Sequence, residues 1–138
     1  MLCDATYANT KPFSFCGQRL QCKIVKCYDG DTCWAAFEHN GQLVRCSVRL
    51  LGYDSPELKS HDENEKEWAK VAKEHLASMV TDKIITLEAG EFDKFGRILG
   101  NIFVGDVHVN QQMIDSGLVQ LYDGGTKKKW DFSKFKRP

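Results

Sequence analysis

Residues 28–57 read YDGDTCWAAFEHNGQLVRCSVRLLGYDSPE, and this stretch predicts a β-hairpin with a polar loop at each end. Thr32 to Glu38 and Leu43 to Leu51 are both rich in strand-forming residues. Asn40-Gly41 lies between them, and Asn-Gly between two strand-like runs is the strongest short hairpin signal. Gly52 to Pro56 then reads as a loop, because proline disfavours helical backbone at the residue before it.

The flanking sequence adds three strands and two helices. The strands are predicted at Leu20 to Tyr28, Ile84 to Ala89 and Arg97 to Val104. An apolar stripe at steps of three and four predicts a helix from about Glu63 to Met79, capped by Asp62 or its neighbours. A shorter helix from Val109 to Ser116 would end at Gly117. This order is compatible with a five-stranded OB-type β-barrel carrying two or three helices, and also with other small α+β folds.

Charge is segregated along the chain although the total cancels. Nineteen basic residues balance nineteen acidic ones, whereas nucleic-acid binders usually carry a positive surplus. The positive charge is concentrated in the tail from Lys127 to Pro138, and much of the negative charge lies in the segment from Asp62 to Glu67. The six cysteines include no Cys-x-x-Cys pair, which disfavours a zinc site and leaves open whether any of them form disulfides.

Three short polar stretches follow predicted strands, where a rigid scaffold can direct side chains into one cleft. They are Tyr28 to Thr32, Arg49 to Glu57 and Asp93 to Arg97. Each alone is an ordinary turn or surface pattern. Together they supply carboxylates, which are ligands for a hard cation such as calcium, and two arginines able to hold a phosphate by charge-assisted hydrogen bonds. Phosphodiester hydrolysis needs these groups and a positioned water.

Taken in order, these stretches resemble the staphylococcal nuclease (thermonuclease-like) family. The family pattern is Asp-Gly-Asp-Thr, then Arg-x-x-x-x-Asp-[Thr/Ser]-Pro-Glu, then an Asp-to-Gly-Arg segment, and this chain has all three. A fourth family stretch beginning Val-Asn is present as Val109 to Val119. The resemblance covers about Gln21 to Tyr122. It implies an OB-fold domain over residues 19–123, preceded by an extended arm at 1–18 and followed by a basic, aromatic-containing tail at 124–138.

The resemblance implies a calcium site. The ligands would be the carboxylates of Asp31 and Asp54 and the backbone carbonyl of Ser55. Asp29 and Thr32 would hold these ligands in position without contacting the metal themselves. Calcium is therefore the expected cofactor.

The resemblance also implies the catalytic groups and the substrate. Glu57 would position or deprotonate the attacking water, while Arg49 and Arg97 bind the scissile phosphate and Arg97 assists the leaving 5′ oxygen. Phe95 would contact the substrate by stacking, where a tyrosine is common in the family. The expected activity is calcium-dependent hydrolysis of DNA and RNA, preferring single strands, with little sequence specificity and a 3′-phosphate product.

Two features leave alternatives open. The acidic segment after Glu57 is expected to weaken substrate capture, and the basic tail either compensates by tracking phosphates or is a solvated end or localisation signal. One alternative function is a catalytically inactive OB-type module that binds nucleic acid or protein, and another is a metal-stabilised domain without a nucleic-acid role. We expect no membrane association and no obligatory protein partner. A cytoplasmic or nuclear location is expected because no signal peptide or transmembrane segment is evident.

Overall fold

The predicted hairpin lies in a six-stranded sheet of the computed structural model, which describes residues 1–138. Strand β2 runs from Thr32 to His39 and β3 from Gln42 to Leu50, in antiparallel register with His39 opposite Gln42. Asn40 and Gly41 have φ angles of 51° and 78°, the left-handed values that a two-residue hairpin turn requires. The hairpin prediction is confirmed.

Five of the strands close into a barrel. The remaining strands are β1 (Arg19–Cys27), β4 (Tyr53–Asp54), β5 (Ile84–Phe92), β6 (Ile98–Val104), β7 (Val107–His108) and β8 (Gln120–Leu121). The sheet order is β3-β2-β1-β5-β6-β7, and an additional parallel pairing of β3 with β6 closes the ring. The predicted five-stranded OB-type barrel is therefore confirmed.

Two helices pack on this barrel. Helix α1 runs from Glu63 to Val80, and Asp62 caps it by accepting a hydrogen bond from the Asn64 amide. Helix α2 runs from Val109 to Asp115, close to its predicted bounds, and Gly117 follows it with a φ of 74°. The structure thus has two of the two or three helices expected on the barrel, and a single exposed 3-10 turn, Leu2–Asp4, lies in the N-terminal arm.

Asn110 fastens α2 to the strand ends beside the polar loops. Its Nδ2 donates to the carbonyls of Leu51 and Gly100, at 2.9 and 3.1 Å. Its Oδ1 accepts from the amide of Ile102 at 2.9 Å. A buried amide with all these partners fixes α2 against both β3 and β6, because an unmatched polar group there would cost free energy.

One local prediction differs from the structure. Residues 52–56 are not wholly a loop, because Tyr53–Asp54 pairs with Gln120–Leu121. The N-terminal arm meets the barrel at Phe15, which is only 8% exposed and whose ring packs edge-on against Phe37 at 5.6 Å. Burying that aromatic ring draws the end of the arm onto the barrel.

The C-terminal tail packs back on the domain. Trp130, Phe132 and Phe135 form an aromatic cluster, and Phe135 contacts Trp68 of α1 with ring centroids 5.4 Å apart. No helix of the structure has both the length and the apolar character that crossing a membrane demands.

Candidate active site

The three polar stretches converge on one cleft of about 330 Å³. Its lining residues are Tyr28, Asp29, Asp31, Arg49, Asp54, Glu57, Phe95, Arg97 and Lys127. Of the residues that the sequence pointed to, only Thr32 and Ser55 are not among them, and both hydrogen-bond to Asp31 beneath the cleft floor.

Asp31 and Arg49 form a buried ion pair at the floor. Arg49 Nη1 lies 3.0 Å from Asp31 Oδ2 and also donates to the carbonyls of Leu50 and Tyr53, at 3.1 and 3.0 Å. Asp31 Oδ1 accepts from Thr32 Oγ1 at 2.8 Å. Although burial favours the neutral acid, the Arg49 charge and these hydrogen bonds hold the pKa of Asp31 below its ordinary value. Asp31 is thus kept as an anion.

Asp29 shapes the loop that carries Asp31. Its Oδ1 accepts from the Asp31 amide at 3.0 Å. Burial, followed by the charge of Asp31, raises the pKa of Asp29 to about 7. Between them Gly30 packs so closely that a Cβ there would lie 2.8 Å from the Ser55 Cβ and 2.9 Å from the Cβ of Ala72 in α1. Glycine at this position therefore allows the loop to pack closely against its neighbours beneath the cleft.

Asp54 presents an unsatisfied oxygen to the cleft. The residue is 2% exposed, and its Oδ1 accepts no hydrogen bond. The cations nearest this oxygen are Arg49 Nη2 and Lys127 Nζ, both 3.5 Å away. Because these two ion-pair contacts are long and the oxygen accepts no hydrogen bond, it can still take a closer ligand such as a metal cation.

The donor set fits a hard divalent cation bound at an open site. Nowhere in the chain do three His, Cys, Asp or Glu side chains meet closely enough to hold a metal ion among themselves. Asp31 and Asp54 are oxygen donors, and Ser55 beside them has a buried hydroxyl without a partner. Calcium accepts such incomplete carboxylate sets, with carbonyls and water making up the remainder.

Glu57 lies at the exposed edge of the cleft on a loop held by α1. Its backbone amide donates to Glu65 Oε2 at 2.8 Å, and Ser60 Oγ donates to Glu65 Oε1 at 2.9 Å. Burial raises the pKa of Glu57, with the charges of Asp31 and Asp54 adding to it, and the nearby Lys127 ammonium only partly offsets this. A carboxylate with a raised pKa is a stronger base at neutral pH.

Arg97 is held in place by its own loop. Asp93 Oδ1 accepts from the amides of Phe95 and Arg97, both at 2.9 Å, and Asp93 Oδ2 accepts from Arg97 Nε at 2.7 Å. Arg97 Nη1 donates to Thr32 Oγ1 at 3.2 Å. Thr32 therefore links the arginine to Asp31, and the exposed Phe95 ring lies 5.4 Å from the Arg97 guanidinium carbon.

A second, more apolar pocket of about 530 Å³ adjoins the first. Arg49 lines both, and the walls of the second include Leu51, Leu99, Leu121 and Tyr122. The guanidinium thus separates a charged cleft from a pocket whose size and lining suit a planar apolar group.

Sequence reasoning assigned no role to Asp93 or Glu65, and it considered Lys127 only among the tail cations that could track substrate phosphates. Asp93 lay within a quoted motif, four residues before Arg97, and that spacing was a usable signal. Glu65 belongs to the acidic segment, which was expected to weaken substrate capture. Nothing in the local pattern indicated that Lys127 would reach the cleft.

Comparison with known proteins gives one family. The family model of the staphylococcal nuclease homologue matches residues 47–136. An uncharacterized protein of Methanocaldococcus jannaschii is 28% identical over 158 residues, covering 96% of this chain and 73% of that protein. An uncharacterized endonuclease of Escherichia coli is 28% identical over 102 residues, covering 73% of this chain and 60% of the relative.

A more distant relative carries the family name. A probable staphylococcal-like nuclease of Oryza sativa subsp. japonica is 24% identical over 118 residues, covering 83% of this chain and 27% of the plant protein. The chain thus spans only part of each relative. Because the family model matches most of the chain, and the barrel with its helices is as the resemblance implied, the chain belongs to the staphylococcal nuclease homologue family.

Proposed function

We propose that this protein is a calcium-dependent phosphodiesterase that hydrolyses DNA and RNA, preferring single strands, and leaves a 3′-phosphate. Family membership supports nuclease activity in general. The observation that carries the finer proposal is the meeting of Asp31, Asp54, Glu57, Arg49 and Arg97 in one cleft.

The arginines are suited to bind a phosphate. Arg97 uses Nε and Nη1 for Asp93 and Thr32, which leaves Nη2 directed to no protein acceptor. Arg49 similarly uses Nη1 for the protein, while its Nη2 has only the long contact to Asp54. Two guanidinium groups held by their other nitrogens offer a preorganised site for a phosphodiester.

The carboxylates divide into two roles. Asp31 and Asp54, with the carbonyl of Ser55, would hold calcium, which supplies neutralisation of the phosphate charge when it is bound. Glu57 orients a water and accepts its proton, since it is the carboxylate at the open edge with a raised pKa. Arg97 stabilises the charge that develops on the phosphate and on the leaving 5′ oxygen. Asp29 and Thr32 keep Asp31 oriented.

The second pocket supports the proposed tolerance of sequence and the proposed preference for single strands. Leu99, Leu121 and Tyr122 offer apolar and aromatic contact, which any base can use. A base reaches that pocket only when it is unstacked from its neighbours. The exposed Phe95 ring provides a second stacking surface beside Arg97.

The test is cleavage of single-stranded DNA and RNA oligonucleotides with calcium and with chelator, followed by analysis of the product ends. We expect chelator to abolish cleavage and new ends to carry 3′-phosphates. Arg97→Met and Asp31→Asn should each lower kcat/KM by roughly 100-fold or more. Cleavage that is indifferent to both chelator and Arg97→Met would refute the proposal. Salt-dependent binding without cleavage would instead identify a binding module.

A further inference from the structure

The C-terminal tail places one lysine inside the cleft. Lys127 Nζ lies 3.5 Å from Asp54 Oδ1 and 3.7 Å from Glu57 Oε1. Its side chain is 53% exposed, so the ammonium reaches the carboxylates while remaining in contact with solvent. None of the other tail cations pairs with a cleft carboxylate, and Arg137 pairs instead with Glu67 on α1.

Contacts of Lys127 and of residues after it fix the path of the tail. The Gln120 side-chain amide donates to the Lys128 carbonyl at 3.1 Å. Further along, Phe135 packs against Trp68 of α1 at 5.4 Å. The Lys127 ammonium also lies 5.7 Å from the centre of the Tyr122 ring. The lysine is therefore presented to the cleft by a docked segment.

The ammonium and a divalent cation compete for the same oxygen. Asp54 Oδ1 is buried and accepts no hydrogen bond, which makes it an available ligand for calcium. A positive charge 3.5 Å from that oxygen repels any cation bound to it. Calcium on Asp54 would therefore be disfavoured by Lys127 at its observed position. Arg49 Nη2 is equally close to this oxygen, but Arg49 is buried and hydrogen-bonded, whereas the half-exposed Lys127 side chain is free to move into solvent.

We propose that Lys127 is an internal competitor for the cation and sets the calcium affinity of the site through its pairing with Asp54 and Glu57. This inference rests on the proposed function, because it takes Asp54 as a calcium ligand. This role of the tail in controlling calcium affinity is separate from any binding of substrate phosphates by the tail. The calcium concentration at which the protein becomes active depends on how firmly the tail is docked.

Isothermal titration with calcium chloride, without nucleic acid, tests this on the full chain. Lys127→Met should bind calcium about tenfold more tightly than the unmodified protein, because an ion pair whose lysine remains in solvent changes an equilibrium by up to about fivefold and two such pairs are removed. Lys129→Met is the matched control, since it removes the same charge from the same tail without a contact in the cleft. It should change the dissociation constant by less than about twofold.

A second variant perturbs the tail without touching the charge. Phe135→Ala removes the ring that packs on Trp68, so it should tighten calcium binding in the same direction as Lys127→Met, by a smaller factor. Equal dissociation constants in the unmodified protein and Lys127→Met, with binding abolished by Asp54→Asn, would overturn the inference while leaving the calcium site intact. Absence of binding even in Lys127→Met would overturn the calcium site itself.

Discussion

Replacing Asp93 by asparagine separates the anchoring of Arg97 from its charge. Asparagine retains an oxygen for the amides of Phe95 and Arg97, which both donate to Asp93 Oδ1. It places an NH₂ group opposite Arg97 Nε, where the carboxylate now accepts at 2.7 Å. The loop keeps its backbone hydrogen bonds, while the arginine loses its closest partner. Thr32 still accepts from Nη1, so the guanidinium is loosened and not released.

The expected loss of kcat/KM in Asp93→Asn follows from the free-energy cost of ordering the Arg97 side chain. Immobilising a long side chain costs about 0.5–1.5 kcal/mol, which corresponds to roughly twofold to tenfold in kcat/KM. Removing the charge itself with Arg97→Met should cost roughly 100-fold or more. We therefore expect Asp93→Asn to fall between the unmodified protein and Arg97→Met in steady-state cleavage of a single-stranded oligonucleotide.

The pH dependence of the unfolding free energy tests the contact between Asp93 and Arg97 independently. Burial alone would raise the pKa of Asp93, but the hydrogen bonds from the Arg97 backbone and side chain and from the Phe95 amide lower it. A lowered pKa in the folded state contributes stability above the unfolded value of about 3.9, and that contribution is lost as the pH falls through the folded pKa. The difference in unfolding free energy between the protein and Asp93→Asn should therefore shrink on acidification.

Urea unfolding at neutral pH and at about pH 3, together with the kinetics, checks both expectations. Two results would refute the reasoning. One is a loss of kcat/KM as large as that of Arg97→Met, which would mean that Asp93 takes part in the chemistry. The other is a stability gap that widens in acid, because the carboxylate would then be unfavourable when ionised.

Three further substitutions test other parts of the site. Arg49→Met leaves its buried aspartate partner unpaired, so urea unfolding in chelator should show a loss of about 3–5 kcal/mol. Calcium chloride should restore more stability to this variant than it adds to the unmodified protein, and equal calcium stabilisation would contradict that. Glu57→Gln should lower single-turnover cleavage by about 100-fold or more with calcium affinity nearly retained, whereas a parallel loss of calcium binding would make Glu57 a ligand. Gly30→Ala would bring a Cβ to 2.8 Å from Ser55 Cβ and 2.9 Å from Ala72 Cβ. Thermal or urea unfolding should show a cost of about 1–3 kcal/mol, and an unchanged stability would mean that the loop relaxes freely.

Local signals in the sequence predicted the elements of the fold because those signals act over a few residues. Asn40-Gly41 specifies its turn by backbone preference, and the helix cap at Asp62 is a hydrogen bond to a residue two positions away. Closure of the barrel is different. It depends on the parallel pairing of Val48 with Ile98, and no local preference indicates which distant strand will lie alongside.

The residues of the candidate site also fall into those that local sequence motifs predict and those that depend on tertiary contacts. Asp31, Arg49 and Asp54 could be selected from motifs, and the structure brings them into one cleft. The roles of Glu65 and Lys127 could not, because each depends on a tertiary contact. Glu65 holds the Glu57 loop by accepting from its amide, so part of the acidic segment that was expected to oppose substrate is a structural support. Lys127 reaches the cleft from a tail that also packs on α1 through Phe135.

The zero net charge of the chain conceals a cleft whose formal charge depends on the cation. The cleft contains four carboxylates and three cationic side chains, Asp29, Asp31, Asp54, Glu57, Arg49, Arg97 and Lys127. With every group ionised the formal charge is −1, which repels a phosphodiester. Addition of a divalent cation makes the cleft less negative, with a formal charge of +1 if Lys127 stays and 0 if it withdraws, so capture of substrate and chemistry should share one calcium requirement. Direct binding of a non-cleavable oligonucleotide should therefore strengthen with calcium at the same midpoint as cleavage. If capture came mainly from the basic tail, binding would be independent of calcium and only the chemical step would respond to it.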